Sequence, residues 1–307
     1  MITRFFSTSK PIHLVLVALY ALIIFLFMRF GSISEGLNLK SILIQTGMYL
    51  VVFASISIFA FFVNKNNLTQ RNSYKILFYA LLIAIIPFSL QTNSILISNL
   101  FVLMALRRIF SLRNNLRVKK KLFDAAFWIT LAAFFHFWAI LFFALIFAAL
   151  LLYSITQLKN WFIPITGFLT VVILYLSYAI ISTNSFGDLF SFIDAIDYNY
   201  SPYNSLGLII GMTIILSFTI WSTFYYLRSF KDKQKMHRAS HVLVLYVAAV
   251  SIVIILISPS KNGSEFIFLF APLSIIMANY IEGMSEKWFA EIFIWIMIVT
   301  PFAMLLF

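Results

Sequence analysis

The 307-residue chain contains no cysteine, which excludes disulfides, thiolate nucleophiles and cysteine metal sites together. That absence fits an oxidising compartment and a reducing one equally well. Charge is scarce too: Asp, Glu, Lys and Arg make up 10% of residues, against about 25% in a soluble domain. Acidic residues are the scarcest, ten against 22 basic ones. There is no internal repeat, low-complexity tract or linker rich in Pro, Gly or Ser. The missing inverted repeat speaks against the commonest build of a secondary transporter. A phosphate-cradling glycine loop, a metal-ligand histidine pair and a nucleophile elbow are also absent.

Apolar residues take the place of these groups. They make up 63% of the chain, where a soluble domain carries about 45–50%. So little polar surface cannot cover a core, and the apolar surplus must face lipid. The reading is an all-α, polytopic transmembrane helix bundle forming one domain over residues 1–307. A net charge of +12 raises nucleic acid as a partner. In a multi-pass chain, however, the charge is better read as an insertion signal, and no nucleic-acid partner is expected. The start, with Arg4 and Lys10 before an apolar run from Ile12 to Phe30 and no small-residue cleavage site, reads as a retained first helix.

A membrane helix needs ~20 apolar residues. Runs and their polar interruptions predict about eleven segments: 12–30, 41–63, 76–91, 93–110, 122–136, 137–153, 161–182, 206–227, 241–258, 265–281 and 288–306. Pro87 and Gln91-Thr92-Asn93-Ser94 divide the third from the fourth. The block 122–153 is too long for one straight span and short for two. Charge decides it. With a cytoplasmic N-terminus and a helix pair at 122–153, nineteen of the 22 basic residues fall in cytoplasmic loops, leaving only Arg29, Lys40 and Lys261 outside. A single helix there would put Arg228 to Arg238 outside and the Lys/Arg-free loop 183–205 inside. The expectation is therefore nine spans plus a short or re-entrant pair with arms of about 22 Å.

Under this topology the non-cytoplasmic face collects Glu35, Asp188, Asp194, Asp197 and Glu265 with Arg29, Lys40 and Lys261, and His136 at the apex of the pair. Catalysis on a charged, membrane-bound substrate needs such a set: a carboxylate or histidine base (Glu35, Asp188, Asp194, Asp197, His136) and groups that hold the substrate (Arg29, Lys40, Lys261, Glu265). Each has a plainer reading. Glu35 also fits a solvated loop carboxylate. Residues 187–197 also fit an amphipathic interfacial helix with its Asp residues toward water. Asp194 and Asp197 form a D-x-x-D pair on one helical face, a spacing that suits a divalent cation on a diphosphate. Ser264 and Glu265 also fit helix capping. His136 also fits a hydrogen-bonded structural group. The basic run from Arg107-Arg108 to Lys119-Lys120-Lys121 reads as an orientation and anionic-headgroup signal.

The start Met1-Ile2-Thr3-Arg4-Phe5-Phe6-Ser7-Thr8-Ser9-Lys10-Pro11 and the block from Leu106-Arg107-Arg108 through Lys121 to Trp128 resemble an uncharacterised family of multi-pass inner-membrane proteins of flavobacteria and relatives. More distantly, Leu131 to Leu141 around His136 resembles the helix pair of Wzy-type polysaccharide polymerases and family-C glycosyltransferases. That likeness implies a catalytic acid in the first outer loop, where Glu35 stands alone in place of the usual Asp-Glu pair.

Two function classes follow. One is an envelope-glycan glycosyltransferase or polymerase acting on polyprenyl-phosphate-linked sugars at the outer side of the bacterial inner membrane. The other is a non-enzymatic membrane subunit of an envelope, secretion or motility assembly, with a membrane-protein partner. A lipid or solute transporter is a third expectation. The meeting of acids and cations on one face tips the balance to the first, because a bare scaffold has no need of it.

Overall fold

The computed structural model describes residues 1–34, 39–183, 195–232, 235–259, 261–284 and 286–304. These residues are almost wholly helical. A short helix α1 (Ile2–Phe6) precedes eleven longer ones: α2 (Pro11–Ser34), α3 (Leu39–Lys65), α4 (Tyr74–Ile85), α5 (Asn93–Phe110), α6 (Val118–Phe135) and α7 (Phe143–Leu152). After them come α8 (Leu158–Thr183), α9 (Leu206–Arg228), α10 (Lys235–Ile257), α11 (Ile267–Glu282) and α12 (Lys287–Met304). The eleven apolar segments expected from hydropathy thus correspond to α2–α12. Seven stretches among the described residues are long and apolar enough to cross a membrane, while those of α4, α7 and α12 are shorter. So many apolar helices fit an integral membrane protein.

The apolar pattern explains which helices lie inside. All twelve residues of α4 are buried, and 94% of the window containing α11 is buried. Apart from Lys75 in α4 and Asn279 and Glu282 in the last turn of α11, both are apolar on every face, as a helix surrounded by protein should be. The windows in α8 and α9 are only 22% buried, leaving most of their surface for lipid. At twelve residues α4 is only about 18 Å long. Pro87 removes a backbone donor and stops it, and the chain continues in a 3-10 turn, Pro87–Leu90.

The block 122–153 is a hairpin. Ring contacts between Phe134 and Tyr175 (4.5 Å) and the packing of Gly167 on Phe123, Ala126 and Phe127 make α6 parallel to α8. Phe143–Phe168 (6.0 Å) and Phe147–Trp161 (5.9 Å) make α7 antiparallel to it. The chain reverses at His136, as the charge distribution predicts. The arms, however, are longer than the predicted ~22 Å. Helix α6 starts at Val118 and takes in Lys119, Lys120 and Lys121, because long basic side chains reach the interface from a helix end. Its 18 residues span about 27 Å. The second arm opens with a 3-10 stretch, Phe137–Phe142, whose steeper rise of ~2.0 Å per residue lengthens it to a similar reach.

Gly167 sets how closely α6 and α8 approach. A Cβ there would stand 2.8 Å from the Phe123 carbonyl oxygen and 2.9 Å from Ala126 Cβ. Small residues at such contacts let membrane helices pack backbone to backbone. Gly167→Ala should therefore destabilise. Overpacking costs roughly 1–3 kcal/mol, more than the gain of up to about 1 kcal/mol in helix propensity. A lowered unfolding midpoint in detergent checks this.

The two ends of the bundle differ in charge. At one end lie α1 and the turns near residues 66–73, 111–117, 153–157, 229–232 and 283–284, with nearly all the described basic residues. This basic end is tied together by Arg108–Asp124 (2.9 Å) and by Glu291, which accepts from the Met1 amine and from Thr3 Oγ1 (2.7 Å). The opposite end carries Arg29, Lys40, Asp197, Lys261 and Glu265.

Candidate functional site

At the opposite end, the turn 86–93 after α4 and the loop 258–266 before α11 interlock. Thr92 Oγ1 and Ser264 Oγ share a hydrogen bond of 2.7 Å, and Asn262 Nδ2 donates to Thr92 Oγ1 at 3.2 Å. Ser264 Oγ also reaches the Phe88 carbonyl at 3.3 Å. Gly263 adopts φ +91°, the left-handed region that glycine occupies without penalty. The turn it makes sends Glu265 into the bundle.

Glu265 is fully buried. Its Oε1 accepts from the Tyr203 hydroxyl and from the Gly263 amide (3.2 Å). Its Oε2, equally buried, has no hydrogen-bond partner among the described residues. Burial first, and then the neighbouring Glu265 carboxyl, hold the Tyr203 phenol well above the usual tyrosine range, so its proton stays in place to be donated. Sequence reading placed Glu265 among the substrate-holding groups but missed Tyr203. The signal for it was faint: Ser201-Pro202-Tyr203 reads as a turn, and its pairing spans 62 residues.

Arg29 and Lys261 occupy the same end, and their donors are committed to the protein. The Arg29 guanidinium is 5% exposed. Its Nε donates to the Leu90 carbonyl (2.9 Å), Nη1 to Gln45 Oε1 (2.9 Å) and Asn93 Oδ1 (2.7 Å), and Nη2 to the carbonyls of Leu90 (2.6 Å) and Gln91 (3.0 Å). Five N–H groups thus meet five acceptor contacts, and the Phe25 ring lies 4.9 Å from the guanidinium carbon. Lys261 Nζ donates to the carbonyls of Asp197 (2.6 Å), Ser258 (2.8 Å) and Leu256 (3.1 Å), with Tyr200 beside it at 4.8 Å. Both cations brace loops, where sequence reading expected them to hold phosphate. Lys40 is exposed at the start of α3.

His136 ends α6. It is 4% exposed, lies 5.6 Å from the Phe268 ring in a stacked arrangement, and its Nε2 has no hydrogen-bond partner among the described residues. Phe268 lies one helical turn beyond Glu265, so the structure brings His136 toward the same junction. Asp197 lies in the non-helical stretch 195–200, its Oδ1 accepting from the Asn199 amide at 2.8 Å. The amphipathic helix expected over 187–197 therefore does not extend through Asp197, because that side chain folds back on its own backbone in a local turn. Glu35, Asp188 and Asp194 lie outside the described residues, and so does half of the D-x-x-D pair. Among the described residues no group of three or more His, Asp or Glu could hold a metal ion.

Beside this junction a crevice of about 430 Å³ opens between α2, α9 and α12, lined by Phe27, Phe88, Leu206, Leu208, Pro301 and Met304 among others. Phe27 and Leu206 are 60% and 65% exposed, so the crevice faces the lipid side. A Cβ at Gly263 would meet Phe88 Cβ and Leu208 Cδ2, each at 3.2 Å. The backbone that carries Glu265 thus packs directly on the crevice wall.

A family model described as a family of unknown function, DUF6427, matches residues 1–307. The chain belongs to the DUF6427 family. The match covers the whole chain, as the resemblance to an uncharacterised multi-pass family implied. No curated protein and no solved structure matches it. For this DUF6427 chain, function must therefore be argued from the site itself.

Proposed function

We propose that the chain engages a polyprenyl-phosphate-linked saccharide at the non-cytoplasmic face of the bacterial inner membrane, with Glu265 accepting, or abstracting, the proton of a sugar hydroxyl. One observation carries this reading. Glu265 is a fully buried carboxyl with one oxygen held by Tyr203 and Gly263 and the other unpartnered among the described residues, backed by a wall of a lipid-facing crevice. A buried carboxylate oxygen without a donor is costly, and ionisable groups in membrane segments mark working sites. A hydroxyl donor from a ligand supplies the missing bond. The crevice is apolar and open to lipid, which suits an isoprenoid chain. Lys40, exposed at the same end, is the cation available to a phosphate, since the N–H groups of Arg29 and Lys261 already have acceptors.

The reading places this end outside the cytoplasm, and the natural absence of cysteine makes that easy to test. Lys40→Cys and Asn204→Cys, both at exposed positions, should react with a membrane-impermeant thiol reagent on intact cells. Ser7→Cys and Arg117→Cys, exposed at the basic end, should react only after lysis. The reverse pattern removes the reading, because it puts the Glu265 end in the cytoplasm.

A second reading, a non-enzymatic membrane subunit, draws on a different observation. A nearly wholly apolar groove of about 600 Å³ runs between α9 and α12, lined by Ile210, Ile214, Trp295, Ile296 and Val299. A partner's transmembrane helix fits such a surface. A stable partner retained in mild detergent favours this reading over the first.

A further inference from the structure

The basic end carries a cleft that the proposed function does not use. It measures about 460 Å³, within the range of small-molecule sites. Three distant parts of the chain build it: the loop 67–71, the end of α9 at Tyr225 and Ser229, and the end of α11 at Asn279, Glu282 and Gly283. His241 from α10 also contributes. In a chain so poor in polar groups, a cleft walled by Arg71, Gln70, Thr69, Asn279 and a buried His241 stands apart.

The walls are held in place. Asn279 Nδ2 donates to the Leu68 carbonyl (2.8 Å), Arg113 Nη1 to the Asn66 carbonyl (2.9 Å), and Tyr225 Oη to the Gly283 carbonyl (2.7 Å). Gly283 leaves no room for a side chain, since a Cβ would stand 2.1 Å from the Tyr225 hydroxyl oxygen. His241 is 3% exposed, and its Nδ1 shares a hydrogen bond of 2.7 Å with the Tyr226 hydroxyl, which fixes the ring. The cleft is therefore preformed.

Its electrostatics favour an anion. The one carboxylate on the wall, Glu282, accepts from the Gln70 amide (3.0 Å) and from Asn72 Nδ2 (2.6 Å). The Lys75 ammonium, 1% exposed beneath the loop, donates to Thr69 Oγ1 (3.1 Å) and the Asn72 carbonyl (2.8 Å), and its charge offsets that of Glu282. Arg71 remains on the wall, exposed and in no salt bridge among the described residues. Arg228, exposed, stands one residue before Ser229. A guanidinium beside the side-chain amides of Asn67 and Gln70 offers N–H donors to phosphate oxygens.

We infer that this cleft binds a phosphate-bearing anion, either a phospholipid headgroup or a soluble phosphorylated small molecule, at the end opposite Glu265. The inference stands apart from the proposed function, whose failure would leave it untouched.

The test uses the full chain in neutral detergent, with thermal unfolding followed against inorganic pyrophosphate and against dihexanoyl phosphatidylglycerol. At least one probe should raise the unfolding midpoint in a saturable way. Pyrophosphate acting alone indicates a soluble ligand, and the short-chain lipid acting alone a headgroup. Arg71→Ala should weaken that binding about tenfold or more, while Arg117→Ala, an exposed arginine away from the cleft, should leave it unchanged. Asn67→Asp supplies an independent check. It keeps a residue that tolerates the left-handed φ of 52° and adds a negative charge to the wall, so it should weaken binding as well. No saturable shift with either probe, or equal losses in Arg71→Ala and Arg117→Ala, overturns the inference.

Discussion

Arg29→Ala should lower the stability of the folded chain by about 3 kcal/mol or more, because hydrogen bonds to a charged group are each worth ~1.5–3 kcal/mol and several are lost together. The guanidinium joins α2 to the turn after α4 through the carbonyls of Leu90 and Gln91, and to α3 and α5 through Gln45 and Asn93. Alanine leaves the buried Leu90 carbonyl without its two donors and frees the loop and helices that the guanidinium joins. Arg29→Lys should recover only part of the loss, since one ammonium has three donors and cannot reproduce the planar fork. Thermal unfolding in mild detergent and the amount of protein retained in the membrane check this. Native stability in Arg29→Ala, together with lost activity, would return Arg29 to the substrate-holding role expected from sequence.

Glu265→Gln should have the opposite profile, with normal accumulation and lost function. Glutamine keeps the shape of the side chain, and its carbonyl oxygen can still accept from Tyr203 and Gly263. What changes is the second position, where an amide N–H₂ replaces the unpartnered oxygen and the negative charge disappears. A ligand hydroxyl then meets a donor where it needs an acceptor. If Glu265 is a base, the expected loss of activity is about 10²–10⁴-fold. The observable is accumulation of unused polyprenyl-phosphate-linked saccharide in cells carrying only the variant. Glu265→Ala is a poorer probe, since it also strands the Tyr203 hydroxyl and costs stability. Wild-type lipid pools with Glu265→Gln would favour the subunit reading.

Much of the architecture is legible in the sequence, and for simple reasons. Long apolar runs mark membrane-type helices, and the asymmetry of Lys and Arg pointed to a hairpin reversing at His136, where the chain does reverse. What hydropathy could not separate is a helix surrounded by lipid from one surrounded by protein. Helices α4 and α11 look like spans in sequence yet form the interior of the bundle, because both environments select the same residues.

The site was legible only in outline. Sequence gathered Glu265, Lys261, Arg29 and His136 at one end, and all four are there. The bracing by Arg29 and Lys261 was hidden because the deciding partners are backbone carbonyls, at Leu90, Gln91, Asp197 and Ser258, which leave no mark in a sequence. Tyr203 and the cleft around Arg71 were missed for a related reason. They depend on residues 62 and 211 positions apart meeting across the bundle.

The measurement that bears most directly on Glu265 is lipid mass spectrometry of the native chain and its Glu265→Gln variant, purified in parallel from the same cells. A polyprenyl-phosphate-linked saccharide should accompany the native chain and fall by about tenfold or more with the variant, the loss of one hydrogen bond to a charged acceptor. Identical lipid profiles for the two proteins would contradict a ligand-binding role for Glu265.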